Sequence, residues 1–354
     1  MLVSQVPSVM EMMDPEELSM NTKTSDNRNY SLDFVKGIAC IFVVFMHCEF
    51  PGYLGTLVQS IARFCVPFFF MVSGYFCFRN DGITDYGKKI RHILLFIVLS
   101  AVFYLLITPL YTEGGYTVPK LGEVGKLLLF NVPFYIAGQL WFLFALIYDY
   151  ILFWLVQRFR IYKAVYLLIP IGIAVYIALA QGLHLLGIHV PNYFYRNFLI
   201  EGLTLFSLGY WIHAQQEKLH FSNRVLLICI IVSTLLCPLE RLLMGRDFGV
   251  NIVTFPQVTS LFLFCVRNPG MGRERLITRL GRDYSMYIYI FHPAVWHLLD
   301  KLYKGLQLDG YVITGYLRPV ICVTISIVVS VLFVWIRSLI KTRIVLKKPE
   351  RSDK

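Results

Sequence analysis

Charge is scarce in this chain. Asp, Glu, Lys and Arg make up 16% of its 354 residues, and hydrophobic residues 57%. A water-soluble domain carries about 25% charge, so a soluble globular class is excluded. Paired cysteines are missing as well. There are eight cysteines, none in CxxC spacing, and all lie within apolar runs. That predicts small buried hydrophobes and neither a disulfide nor a metal set. No phosphate-cradling Gly loop and no G-x-S-x-G elbow occurs. No internal repeat is visible, which weakens a doubled transporter architecture. Residues 1–30 lack the apolar stretch of a signal peptide and predict a disordered cytoplasmic tail. Met20 offers an alternative start to this tail.

What the chain has is long apolar segments. Ten predicted spans run over about 31–50, 57–78, 88–110, 138–156, 163–183, 197–214, 223–240, 249–266, 282–301 and 314–338. Each is close to the roughly 20 residues that cross a bilayer's hydrocarbon layer. Residues 126–136 are too short to span and predict an interfacial or re-entrant helix. Net charge is +11, but the basic residues flank the spans, so they report topology rather than a nucleic-acid partner. With the N-terminus inside, inner segments hold 23 Lys and Arg and outer segments 8. The expected fold is therefore all-α: a polytopic membrane helix bundle of about ten transmembrane helices, with both termini cytoplasmic. The domain reading is a tail over 1–30, a membrane domain over 31–340 and a basic cytoplasmic tail over 341–354.

The first span, 31–50, carries a stripe of ionisable residues. Lys36 and His47 are eleven positions apart. At about 100° per residue they share one helix face, about 16 Å apart along it. Asp33 lies three residues before Lys36, within pairing distance. Ionisable side chains inside a spanning helix are costly unless they face protein or water, so they read as functional. Imidazole accepts a proton near neutral pH, which suits His47 to general-base work. For Lys36 and Asp33 the plain alternative is an anchor pair at the inner headgroups. Arg63 falls at a depth close to His47 and is either an interfacial anchor or an oxyanion stabiliser.

The same residues carry a family likeness. Lys36, ten further residues and His47, preceded by Leu32-Asp33, resemble the first-span mark of the acyltransferase 3 family. The run Phe68-Phe69-Phe70-Met71-Val72-Ser73-Gly74 looks like its FF-x-x-SG segment. Trp141-Phe142-Leu143 is similar to its WFL signature. Ser285, Tyr289, His292 and Pro293 resemble a G-x-x-S-x-x-x-Y-x-x-H-P pattern that begins at Gly281. The likeness covers most of the chain, in the family's order. It implies an integral membrane O-acyltransferase of the stand-alone type, in the cell (inner) membrane. The donor it implies is acyl-CoA, most simply acetyl-CoA, as a substrate with no resident cofactor. The acceptor it implies is a cell-envelope carbohydrate or its lipid-linked precursor.

On that reading His47 and Arg63 are catalytic, and Lys36 and Asp33 bind the donor. Glu49, Trp141, Arg196, Glu201, Ser285, Tyr289 and His292 are candidate acceptor contacts. Plainer roles stand beside these. Ser285, Tyr289 and His292 are spaced to share one helix face as polar glue. Arg196 and Glu201 suit a structural pair, and Trp141 suits the interfacial belt. The competing function is a transporter or flippase of a polar or lipid-linked glycan. A third is a family member that acylates an amino acid, peptide or small metabolite.

Overall fold

The computed structural model describes residues 28–79, 83–112, 120–308 and 311–346. The predicted tail 1–30 falls almost wholly outside the described residues, whereas the first six residues of the predicted tail 341–354 are helical and continue the last helix, Val312–Leu346, so the boundary expected at 340 is corrected there; residues 347–354 lie outside the described residues. Every regular element among the described residues is helical. In chain order the principal helices are α1 Tyr30–His47, α2 Gly52–Ala62, α3 Cys65–Tyr75, α4 Tyr86–Ile107, α5 Leu121–Phe130, α6 Trp141–Phe159, α7 Tyr162–Ile177, α8 Leu203–Gln215, α9 Asn223–Met244, α10 Thr254–Arg267, α11 Ser285–Gly305 and α12 Val312–Leu346. Each of the ten predicted windows overlaps at least one of these helices, and 57–78 overlaps two, α2 and α3.

Among the described residues, seven segments are long and apolar enough to cross a membrane: Tyr30–His47, Gly52–Tyr75, Tyr86–Leu110, Gly138–Phe159, Tyr162–Leu185, Asn223–Met244 and Val312–Ile340. The windows 197–214, 249–266 and 282–301 fall short for a physical reason. α8 has 13 residues and α10 has 14, while α11 carries His292, His297, Asp300 and Lys301. α8 is buried on nearly every side. By contrast α4, α9 and α12 turn rows of Leu, Ile and Val outward. The more polar helices sit inside and the apolar ones around them, as a hydrocarbon solvent requires.

Local chemistry starts and breaks these helices. The Asn29 side chain caps α1 by accepting from the Leu32 amide at 3.0 Å. Asp85 caps α4 through the Lys88 amide at 2.8 Å. The predicted span 57–78 corresponds to the single segment Gly52–Tyr75, whose helical ladder is interrupted by a turn at Arg63 and Phe64, between α2 and α3. Among the described residues, three single π turns adjoin these helices: Ala178–Gly182 follows α7, Phe198–Gly202 precedes α8 and Leu280–Tyr284 precedes α11. Such turns recur at functional sites.

Glycines let two pairs of helices meet backbone to backbone. A Cβ on Gly74 would lie 1.9 Å from the Phe206 carbonyl oxygen, and one on Gly209 would lie 2.0 Å from that of Met71. α3 and α8 therefore cross with no side chain between them. The same holds for α1 at Gly37 against the turn at Gly281.

The loop between α9 and α10 is pinned from three sides. The Glu240 carboxylate accepts from Gln181 at 2.8 Å, the Ile252 amide at 2.8 Å and the Val253 amide at 3.0 Å. The Tyr176 hydroxyl donates to the Phe248 carbonyl at 3.0 Å and accepts from the Val250 amide at 3.1 Å. This loop reaches into the site described next.

Two expectations need correction. Seven of the eight cysteines are buried, but Cys229 is exposed, because it lies on the outer face of α9. All eight are free thiols. The segment 126–136 is not one helix. α5 ends at Asn131, whose φ of 49° is left-handed, and a separate turn follows at Tyr135–Leu140.

Candidate functional site

α1, α3, α4, α6 and α11 enclose a cavity of about 470 Å³. α1 contributes Lys36, Val43, Met46 and His47, so the face inferred from their spacing is the one turned inward. The break between α2 and α3 delivers Arg63. The turn before α6 delivers Gly138 and Gln139, and α6 adds Trp141, Phe142, Leu146 and Tyr150. Arg196 enters from the segment before the π turn Phe198–Gly202. Ser285 and Tyr289 enter from the start of α11.

The electrostatics follow one pattern. Among the described residues, three cations, Lys36, Arg63 and Arg196, line the wall, and no carboxylate does. Each cation has an acid behind it instead. Lys36 Nζ is 2.7 Å from Asp33, and Asp33 is held from its other side by Arg28 at 2.7 Å. Arg63 forms an ion pair with Asp247, which Arg241 approaches at 3.6 Å. Arg196 lies 3.8 Å from the buried Glu201 and stacks its guanidinium over the Trp141 ring at 5.0 Å. The pairs hold the cations in place. The positive wall then suits an anionic or strongly dipolar ligand.

The loop from Gly245 to Gly249 ties two of these pairs together. It supplies Asp247 to Arg63, and the Arg196 side chain packs on Gly249. A Cβ at Gly249 would lie 2.7 Å from Arg196 Cδ, and the φ of 87° there is itself unsuited to L side chains. Asn131 fixes the other end. Its amide donates to the Trp141 carbonyl at 3.1 Å and accepts from the Phe198 amide at 2.7 Å. Tyr289 donates to the Gln139 carbonyl, and Ser285 to the Gly281 carbonyl at 2.9 Å.

Of the residues singled out in the sequence, Lys36, His47, Arg63, Trp141, Arg196, Ser285 and Tyr289 converge on the cavity. Asp33, Glu49, Glu201 and His292 do not line it. Asp33 and Glu201 stand behind it as partners. Glu49 is exposed beyond the end of α1. His292 is fully buried outside the cavity lining, so its expected place as an acceptor contact is corrected. It packs against His47 with ring centroids 5.0 Å apart. Asp247, Gln139, Tyr150 and Asn131 were missed. Asp247 sits in a Gly-Arg-Asp-Phe-Gly loop, and a charge between two glycines was its one visible signal.

No group of three or more His, Cys, Asp and Glu side chains gathers for a metal ion among the described residues. A cavity lined by an imidazole and two guanidiniums offers a base that can remove a proton and cationic donors that can stabilise a developing oxyanion.

A serine/alanine racemase of Enterococcus gallinarum is 30% identical over 323 residues, covering 79% of this chain and 43% of that protein. Two amino-acid racemases of Enterococcus faecalis are 22% and 23% identical, covering 84% and 86% of this chain and 45% and 46% of theirs. The chain thus spans less than half the length of these curated relatives. No solved structure gives a significant match. The model of the Acyltransferase domain matches residues 29–336, nearly the whole helical body and every cavity-lining side chain, and on that match the chain belongs to the acyltransferase 3 family of membrane proteins.

Proposed function

We propose that this protein is a membrane O-acyltransferase that moves an acyl group, most simply acetyl, from acyl-CoA to a hydroxyl of a cell-envelope carbohydrate or its lipid-linked precursor. The observation that carries the reading is the shared cavity, which His47, Arg63 and Arg196 line together while Lys36 lines it three turns away on the same helix as His47. His47 takes the hydroxyl proton as the acceptor oxygen bonds to the thioester carbon. Arg63, and Arg196 beside it, stabilise the oxyanion of the tetrahedral intermediate. The C–S bond then breaks, and the proton leaves on the coenzyme A thiol. Asp33 holds Lys36 toward the polar part of the donor.

The topology proposed with it is ten membrane crossings in the cell (inner) membrane, both termini cytoplasmic, with donor entry from inside. The test is direct. Membranes with labelled acetyl-CoA and envelope glycan should pass label to the glycan. A protein that moves the glycan but transfers no label is a transporter or flippase instead.

The relatives favour a second acceptor class. They are serine/alanine and amino-acid racemases, so the hydroxyl of a serine-like amino acid belongs in the same assay. Label on serine with none on glycan would move the acceptor from carbohydrate to amino acid.

Lys36→Ala is expected to raise KM for acyl-CoA about tenfold or more, the scale of one lost charged hydrogen bond. Its kcat should change little. Asp33 keeps Arg28 as a partner, so the variant should fold. An unchanged KM would remove Lys36 from the donor site.

A further inference from the structure

His292 lies behind His47, outside the cavity, with 0% of its side chain exposed. Its Nδ1 is 3.0 Å from the carbonyl oxygen of Ile288, one turn earlier in α11. A carbonyl oxygen only accepts, so Nδ1 carries the hydrogen and donates it. In the neutral ring Nε2 is then a bare lone pair. That atom is buried and has no hydrogen-bond partner. An acceptor left in that state is unfavourable, and an apolar side chain would fill the space without it.

The ring against it is His47, at 5.0 Å between centroids and 46° of tilt. Facing edges of two five-membered rings at that separation are within hydrogen-bond reach after a small rotation. His47 has the freedom to make that rotation. It ends α1 and is exposed to the cavity, whereas His292 is locked by Ile288.

We infer that His292 is the positioning residue for His47: its Nε2 accepts from one ring N–H of His47 and leaves the other His47 nitrogen bare toward the cavity. The inference rests on the acyl-transfer reading above and deepens it. An imidazole free to exchange tautomers presents the wrong nitrogen part of the time. One held from behind presents the base throughout. The acceptor proton arrives on the cavity nitrogen of His47 and departs with the thiol. The N–H shared with His292 stays where it is, and His292 itself takes up no proton.

Two substitutions separate this role from packing. His292→Asn keeps a polar group near the Nδ1 position and removes Nε2. His292→Gln places an amide oxygen near the Nε2 position and removes Nδ1. Positioning predicts that His292→Asn lowers kcat about a hundredfold, within the range of general-base effects, with the KM for acyl-CoA unchanged. His292→Gln should recover most of the rate. A structural role through the Ile288 contact predicts the reverse order, and equal rates in the two variants also overturn the inference.

A second readout needs no acceptor. Carbethoxylation of His47 by diethyl pyrocarbonate, located by mass spectrometry, should slow several-fold in His292→Asn and not in His292→Gln. Equal labelling of His47 in the native protein and His292→Asn overturns the inference. A native protein that transfers no acyl label while the labelling difference persists sinks the acyl-transfer reading and supports the positioning of His47.

Discussion

Replacing His47 with Ala is expected to leave a folded membrane protein whose acyl transfer falls by a factor of about 10² to 10⁴. That is about 3–5 kcal/mol of transition-state stabilisation. The loss should appear in kcat, with the KM for acyl-CoA near its native value, because Lys36 is three helical turns away and keeps its Asp33 partner. Folding should survive because the ring lies at the end of α1 and faces the cavity rather than the core. Neighbouring Val43, Val44 and Cys48 remain buried and continue to seat the helix. Transfer of label in membranes and the thermal midpoint in detergent measure the two halves separately. Native transfer by His47→Ala would end the general-base mechanism. A collapsed midpoint would show instead that the ring is structural.

Gly281→Val is expected to have the largest effect on stability. A Cβ at Gly281 would lie 1.9 Å from the Asp33 carbonyl oxygen and 2.4 Å from the Gly37 nitrogen. Across the same contact, a Cβ on Gly37 would lie 2.0 Å from the Ile277 carbonyl oxygen. These are backbone atoms and cannot swing aside, so α1 must move off the turn Leu280–Tyr284. Overpacking alone costs about 1–3 kcal/mol, and more where the surroundings cannot yield. Much of the net stability of a protein is of that size. The helix displaced is the one that presents Lys36 and His47, so activity should fall with the folded fraction. Gly305→Ala is the control, since nothing lies within 4 Å of its added Cβ. Monodisperse yield from detergent and the thermal midpoint report the difference. A Gly281→Val protein as stable as Gly305→Ala would mean that this crossing is looser than the backbone contacts require.

Much of the site was legible because one helix carries its axis. A step of eleven positions from Lys36 to His47 puts both on one face whatever surrounds them, and the cavity opens on that face. Arg63 was legible by depth, although the turn that aims it was not, since an apolar run reads the same with or without a break. His292 shows the opposite case. Its spacing from Ser285 and Tyr289 places the three on one stripe, and Ser285 and Tyr289 do face the cavity. The stripe is wider than the opening, and His292 falls behind its edge.

Helix period and apolar length, which repeat along the chain, were enough to establish a helical membrane bundle and the shared face of Lys36 and His47. The tertiary structure alone decided what stands behind each cation. Asp247 reaches Arg63 across 184 positions of chain, from a loop pinned by Glu240 and Tyr176. It also decided that His292 meets His47, from a helix at the other end of the sequence. Periodicity reports which way a side chain points from its own helix axis. A partner's identity depends on how helices cross, and here that depends on glycines whose only signal is the absence of a side chain.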